Sequence, residues 1–87
     1  MTLELRPEVA AFAQIMEWRL RESGQEWQRR FECSADYLIK RLTEKLEELI
    51  SQCQSKGLLL GLDVPEAAAD VANYAMMIAD VREWSKP

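Results

Sequence analysis

The sequence predicts an all-α protein, and three observations carry that expectation. Apolar residues recur at steps of three and four over three separate stretches. Helix-starting residues precede these stretches (Pro7, Ser34, Pro65), and glycines close the first two (Gly24, Gly57). The connections between them are short, which favours antiparallel neighbours in a bundle. At 87 residues the chain is expected to form one domain over residues 1–87, a three-helix protomer with a marginal core that a second copy would complete.

The first helix is expected from Pro7 to about Glu22, because proline at the first helical position lacks an N–H that would be unpaired there anyway. Val9, Phe12, Ala13, Met16 and Leu20 form its apolar stripe, with Glu17, Arg19 and Arg21 off it. Ser23 and Gly24 supply the stop. Residues 25–33 are the least regular part. Either Trp27 and Phe31 plug the end of the core beside solvated arginines, or an aromatic face with Arg29 and Arg30 meets a base and phosphates.

Ser34 is a good N-cap, and Asp36 falls in the first turn, where the helix dipole favours an anion. The second helix is expected over residues 35 to about 56. Ala35, Ile39, Leu42, Leu46, Leu49 and Cys53 step by four and three, widened by Leu38 and Ile50, as a coiled-coil seam or the core face of a bundle helix would. Arg41, Lys45, Gln52 and Glu48 follow one side of that stripe, while Glu44 lies nearly opposite the core and is expected to be solvated. Residues 57–64 form an apolar link whose leucines would cap the bundle, and Asp63 with Pro65 opens a third helix reaching about Trp84.

That third helix concentrates the chemistry. Val71, Ala72, Tyr74, Ala75, Met76, Met77, Ile78, Ala79 and Val81 cover nearly every face, so protein should surround it on most sides. Glu66, Asp70, Asn73 and Asp80 nevertheless fall along one line. Carboxylates removed from water need a partner, so the line should face a cation, a basic side chain or a wet cleft. Two helices presenting carboxylates at such spacings are one way for a bundle to hold magnesium through oxygen ligands.

Eleven basic against fifteen acidic residues give a formal net charge of −4, which argues against a general nucleic-acid or anionic-membrane binder. The amino terminus carries no cleavable-leader pattern and no apolar run is long enough for a membrane span, so a soluble cytoplasmic protein is expected. With no histidine and no Cys-x-x-Cys, Cys33 and Cys53 are expected as buried or free thiols rather than zinc ligands.

Several blocks together resemble a known family: Leu5-Arg6-Pro7-Glu8-Val9, Met16-Glu17-Trp18-Arg19-Leu20-Arg21, a tryptophan in the following loop, Tyr37-Leu38-Ile39-Lys40-Arg41-Leu42, residues 44–49, and above all residues 70–80. Over about residues 5–81 the chain is similar to MazG-like all-α nucleoside-triphosphate pyrophosphohydrolases. The resemblance implies a homodimer or homotetramer and Mg²⁺- or Mn²⁺-assisted attack of water on a nucleoside triphosphate, giving the monophosphate and pyrophosphate. Of its site residues Glu48 and Asp70 carry over in position, as catalytic and metal-binding carboxylates; Glu66, about 40° from Asp70 around the helix, is expected to reach the same ion, and Trp27, Arg29, Arg30 and Asn73 are the residues expected to hold the substrate. The family's motif departs at two positions. Lys45 stands where the first glutamate of one ligand pair belongs, and Ala67 where the glutamate of the other belongs.

Two function classes follow. One is an active pyrophosphohydrolase in which Glu66 makes good the loss at Ala67. The other is a catalytically inactive relative in which Lys45 replaces the metal, pairs with Asp70 or Glu48, and leaves a nucleotide-binding or oligomerising helical module.

Overall fold

A computed structural model describes residues 3–22, 27–54 and 64–84 of the chain. The described residues are all-helical: α1 (Pro7–Glu22), a single 3₁₀ turn (Arg30–Glu32), α2 (Ala35–Gln54) and α3 (Val64–Trp84). The expected stops at Ser23, Gly24 and Gly57, and the apolar link up to Asp63, lie outside the described residues.

The helix starts follow the sequence signals. Arg6 precedes Pro7 and its carbonyl accepts the Ala10 amide at 3.0 Å, the first bond of α1. Ser34 caps α2: its hydroxyl accepts the Tyr37 amide at 3.0 Å and its carbonyl the Leu38 amide at 3.1 Å. No helix among the described residues is long and apolar enough to cross a membrane.

α3 is the hub. Both α1 and α2 pack on it, far more than on each other, and the 3₁₀ turn also touches it. Arg19 meets Glu66 and Asp70 while Met16 meets Asn73, so α1 runs antiparallel to α3. Lys45 lies near Asp70 and Arg41 over Tyr74, so α2 runs antiparallel to α3 as well. The core is small. Leu38, Tyr74, Met77 and Val81 form its buried cluster, with Leu20, Trp27, Cys33, Leu42 and Ile78 packed around them. Full burial of a leucine such as Leu38 contributes about 2 kcal/mol.

One expectation about faces holds and two are corrected. α3 is covered on most sides, Ala75 and Ala79 being the exposed ones of its apolar residues between 71 and 81. The inward face of α1 comprises Phe12, Ile15, Met16, Arg19 and Leu20, whereas Val9 and Ala13 face out, because the guanidinium of Arg19 is drawn to the acids of α3. The broad stripe of α2 divides in two: Leu38, Leu42, Lys45 and Leu49 turn towards α3, while Ile39, Leu46, Ile50 and Cys53 remain exposed.

Candidate functional site

A groove of about 650 Å³ runs between α1 and α2, with α3 as its floor and the segment around the 3₁₀ turn closing one end. α1 supplies Arg19, Leu20 and Glu22; the turn supplies Arg29, Glu32 and Cys33. α2 contributes Tyr37, Arg41 and Lys45 at i, i+4 and i+8, and α3 contributes Asp70, Asn73, Tyr74 and Met77. Four cations and three carboxylates line it, and Glu44, Glu48 and Glu66 pair with those cations from just outside the lining.

Arg19 organises the groove's floor. Its Nε and Nη2 donate to the two oxygens of Asp70 at 2.9 and 2.8 Å, a fork-on-fork pair, and its Nη1 donates to Glu66 at 3.1 Å and Glu22 at 3.4 Å. Hydrogen bonding to Asp70 holds the Arg19 guanidinium above its ordinary value, with burial opposing and the charges of Asp70, Glu66 and Glu22 reinforcing the rise. Lys45 approaches from the other wall, its ammonium 3.4 Å from Glu48 and 3.9 Å from Asp70. The acids of α3 therefore do face cations, and those cations are the protein's own.

Asn73, buried to 3 % exposure, ties α1 to α3 by donating from Nδ2 to the Met16 carbonyl at 3.1 Å. Its Oδ1 is shut off from solvent without a partner, at a cost of about 1–3 kcal/mol.

Arg30 and Trp27 sit elsewhere. The Arg30 guanidinium is stacked on Trp27 at 3.8 Å and Phe31 at 4.5 Å, donates to Asp80 at 2.6 Å and to the Trp27 carbonyl at 2.8 Å, and thereby clamps the turn onto α3. Neither Arg30 nor Trp27 lines the groove. Arg29, exposed and bonded to Glu32 at 3.1 Å, does. Glu44, expected to be solvated, is held by Arg41 at 2.6 Å. Both cysteines are free.

No protein-family model, curated protein or solved structure matches this chain. The groove is therefore weighed on its own chemistry.

The magnesium ion that the resemblance implies is tested by the donor set. Glu66 and Asp70 converge on one guanidinium and Glu48 reaches only the Lys45 ammonium, so two fixed positive charges already stand among the three carboxylates. Among the described residues no three acidic, thiol or imidazole side chains come together as a cation site. In this arrangement the residues do not fit a magnesium ion, because a further cation would meet two like charges within a few Å and little uncompensated negative charge.

Of the residues singled out in the sequence, the groove brings together Arg29, Asp70 and Asn73, with Lys45 beside them; Glu48 and Glu66 contact its cations from outside the lining. Sequence reasoning missed Arg19, Tyr37 and Tyr74 as lining residues. A signal for Arg19 existed: it lies three residues after Met16 and one before Leu20, at the border of the apolar stripe, where a long side chain reaches a neighbouring helix.

Proposed function

We propose that the chain is a non-catalytic, metal-independent relative of the MazG-like hydrolases, a helical module whose groove binds the phosphates of a nucleotide. The observation that carries this reading is the Arg19 fork on Asp70, with Glu66 on the same guanidinium and Lys45 on the far side. Carboxylates so occupied do not need an ion, and the groove's other cations, Arg29, Arg41 and Lys45, are each held by a glutamate, Glu32, Glu44 and Glu48, which a phosphate would displace. Arg29, Arg41 and Lys45 all line its walls, and the half-exposed ring of Tyr37 offers a face for a base. Asn73, from which no catalytic role follows here, fastens the floor.

The test is calorimetric titration of a panel of ribo- and deoxynucleoside triphosphates, once with a chelator and once with Mg²⁺, beside an assay of pyrophosphate release. The reading expects binding in chelator, loss of binding in Arg29→Ala/Tyr37→Ala, and no pyrophosphate with either medium. Pyrophosphate release with Mg²⁺ would establish the hydrolase instead. Absence of binding by every nucleotide would overturn the nucleotide reading.

A further inference from the structure

The cations of the groove share one pattern. Each of the four has a glutamate three positions after it: Arg19 with Glu22 at 3.4 Å, Arg29 with Glu32 at 3.1 Å, Arg41 with Glu44 at 2.6 Å and Lys45 with Glu48 at 3.4 Å. A step of three sets the acid on the neighbouring turn, within reach of its cation. On α1 and α2 this order is the less favourable one for the helix, since a carboxylate ahead of its cation suits the helix dipole better. Off the groove, Arg21 pairs in the favoured order with Glu17, four positions before it. Shielding then separates the partners. The Lys45 side chain keeps 19 % of its accessible surface and Glu48 58 %, and for Arg41 and Glu44 the values are 30 % and 41 %. In both pairs the cation is the more enclosed partner, and the carboxylate is the one that turns to water at little cost. Arg29 and Glu32 are exposed together. Arg19 differs, because Asp70 and Glu66 hold it whatever Glu22 does.

We infer that the groove is autoinhibited: Glu32, Glu44 and Glu48 act as internal competitors that set its affinity, and swing out as the anionic groups of a ligand take Arg29, Arg41 and Lys45 from them. The inference rests on the reading of the groove as a phosphate site and adds how that site is regulated. Each exchange trades one charge-assisted bond for another, so removing a competitor helps a ligand in proportion to the number of cations it takes. An exposed pair is worth about twofold in affinity, and three such pairs together about tenfold.

Calorimetric titration of inorganic triphosphate and of orthophosphate, in chelator at constant ionic strength, tests the inference on wild type and two variants. One is Glu32→Gln/Glu44→Gln/Glu48→Gln. The other, Glu4→Gln/Glu8→Gln/Glu17→Gln, changes the net charge equally at exposed acids off the groove. The first variant should bind triphosphate about tenfold tighter than wild type and orthophosphate only about twofold tighter, while the second should match wild type within about twofold. Triphosphate bound equally by wild type and the first variant, or an equal gain in the second, would overturn the inference and leave the phosphate reading standing. Triphosphate bound by the first variant alone would support the inference, and triphosphate bound by no protein of the set would overturn both.

Discussion

Replacing Arg19 by alanine removes the cation on which the groove's floor is built. The pair it forms with Asp70 is bidentate and mostly shielded, the two side chains retaining 24 % and 14 % of their accessible surface. Breaking a fully buried pair costs about 3–5 kcal/mol, because the remaining charge is left without compensation. Two features reduce that figure here. A quarter of the Arg19 side chain still meets solvent, and the Lys45 ammonium at 3.9 Å takes up part of the charge on Asp70. A loss of about 2 kcal/mol is the expected result. In a domain of this size it lowers the melting temperature by roughly 10 °C. Thermal and urea unfolding followed by far-ultraviolet circular dichroism would measure it. A cycle with Asp70→Asn should return a coupling of about 1–2 kcal/mol, since the two side chains share both bonds of the fork. A loss below ~0.5 kcal/mol with no coupling would refute the reasoning, for it would mean that the fork is a surface contact without energetic weight.

Other consequences follow from the same geometry. Leu38→Ala, which empties the fully buried position of the core, should cost about 3 kcal/mol in urea unfolding, and a cost under ~1 kcal/mol would place the core elsewhere. Arg30→Lys keeps the charge but not the planar fork that stacks on Trp27 and reaches Asp80, so it should lose stability by about 1–2 kcal/mol, nearly as much as Arg30→Ala; full retention would show that only charge matters there. The raised basicity of Arg19 also fixes a sign. A cation whose folded value lies above its unfolded one contributes its full stability below the unfolded value and loses it only as pH rises through the folded value. For arginine that window lies beyond about pH 12, so the contribution is flat through the neutral range. Arg19→Lys moves the window down towards about pH 10–11, and the melting-temperature gap to wild type should widen there; a gap constant from neutral to alkaline pH would contradict the pairing.

How far the sequence reaches is clearest at particular residues. The bounds of α1 and the cap at Ser34 were legible because they depend on local chemistry, proline without an N–H and a hydroxyl able to reach an amide three residues on. The acidic line of α3 was legible as a demand for cations, since stranded carboxylates are costly wherever they lie. Which cation answers it was only half legible. Lys45 stood out by its position in the motif, whereas Arg19 answers Asp70 from 51 positions away, and no local pattern marks that pair. The split of the α2 stripe was hidden for a related reason. A row that is apolar over a wide arc fits burial on either side, and only the position of α3 decides that Leu38 and Leu42 turn inward while Ile39 and Leu46 do not. Arg30 shows a different limit. Beside Trp27 and Phe31 it had the composition of a phosphate and base site, yet Asp80, fifty residues on, takes the guanidinium.

The central claim is that two side chains, Arg19 and Lys45, do the electrostatic work that an ion would otherwise do between Glu48, Glu66 and Asp70. Thermal unfolding of the wild-type protein with increasing Mg²⁺ or Mn²⁺ tests it most directly, because an ion that binds only the folded state raises the melting temperature, by about 2.7 kcal/mol of added stability at a hundredfold excess over its dissociation constant. The account predicts a melting temperature unmoved by either ion. A rise of several degrees, abolished by Asp70→Asn, would contradict it and return these carboxylates to a metal.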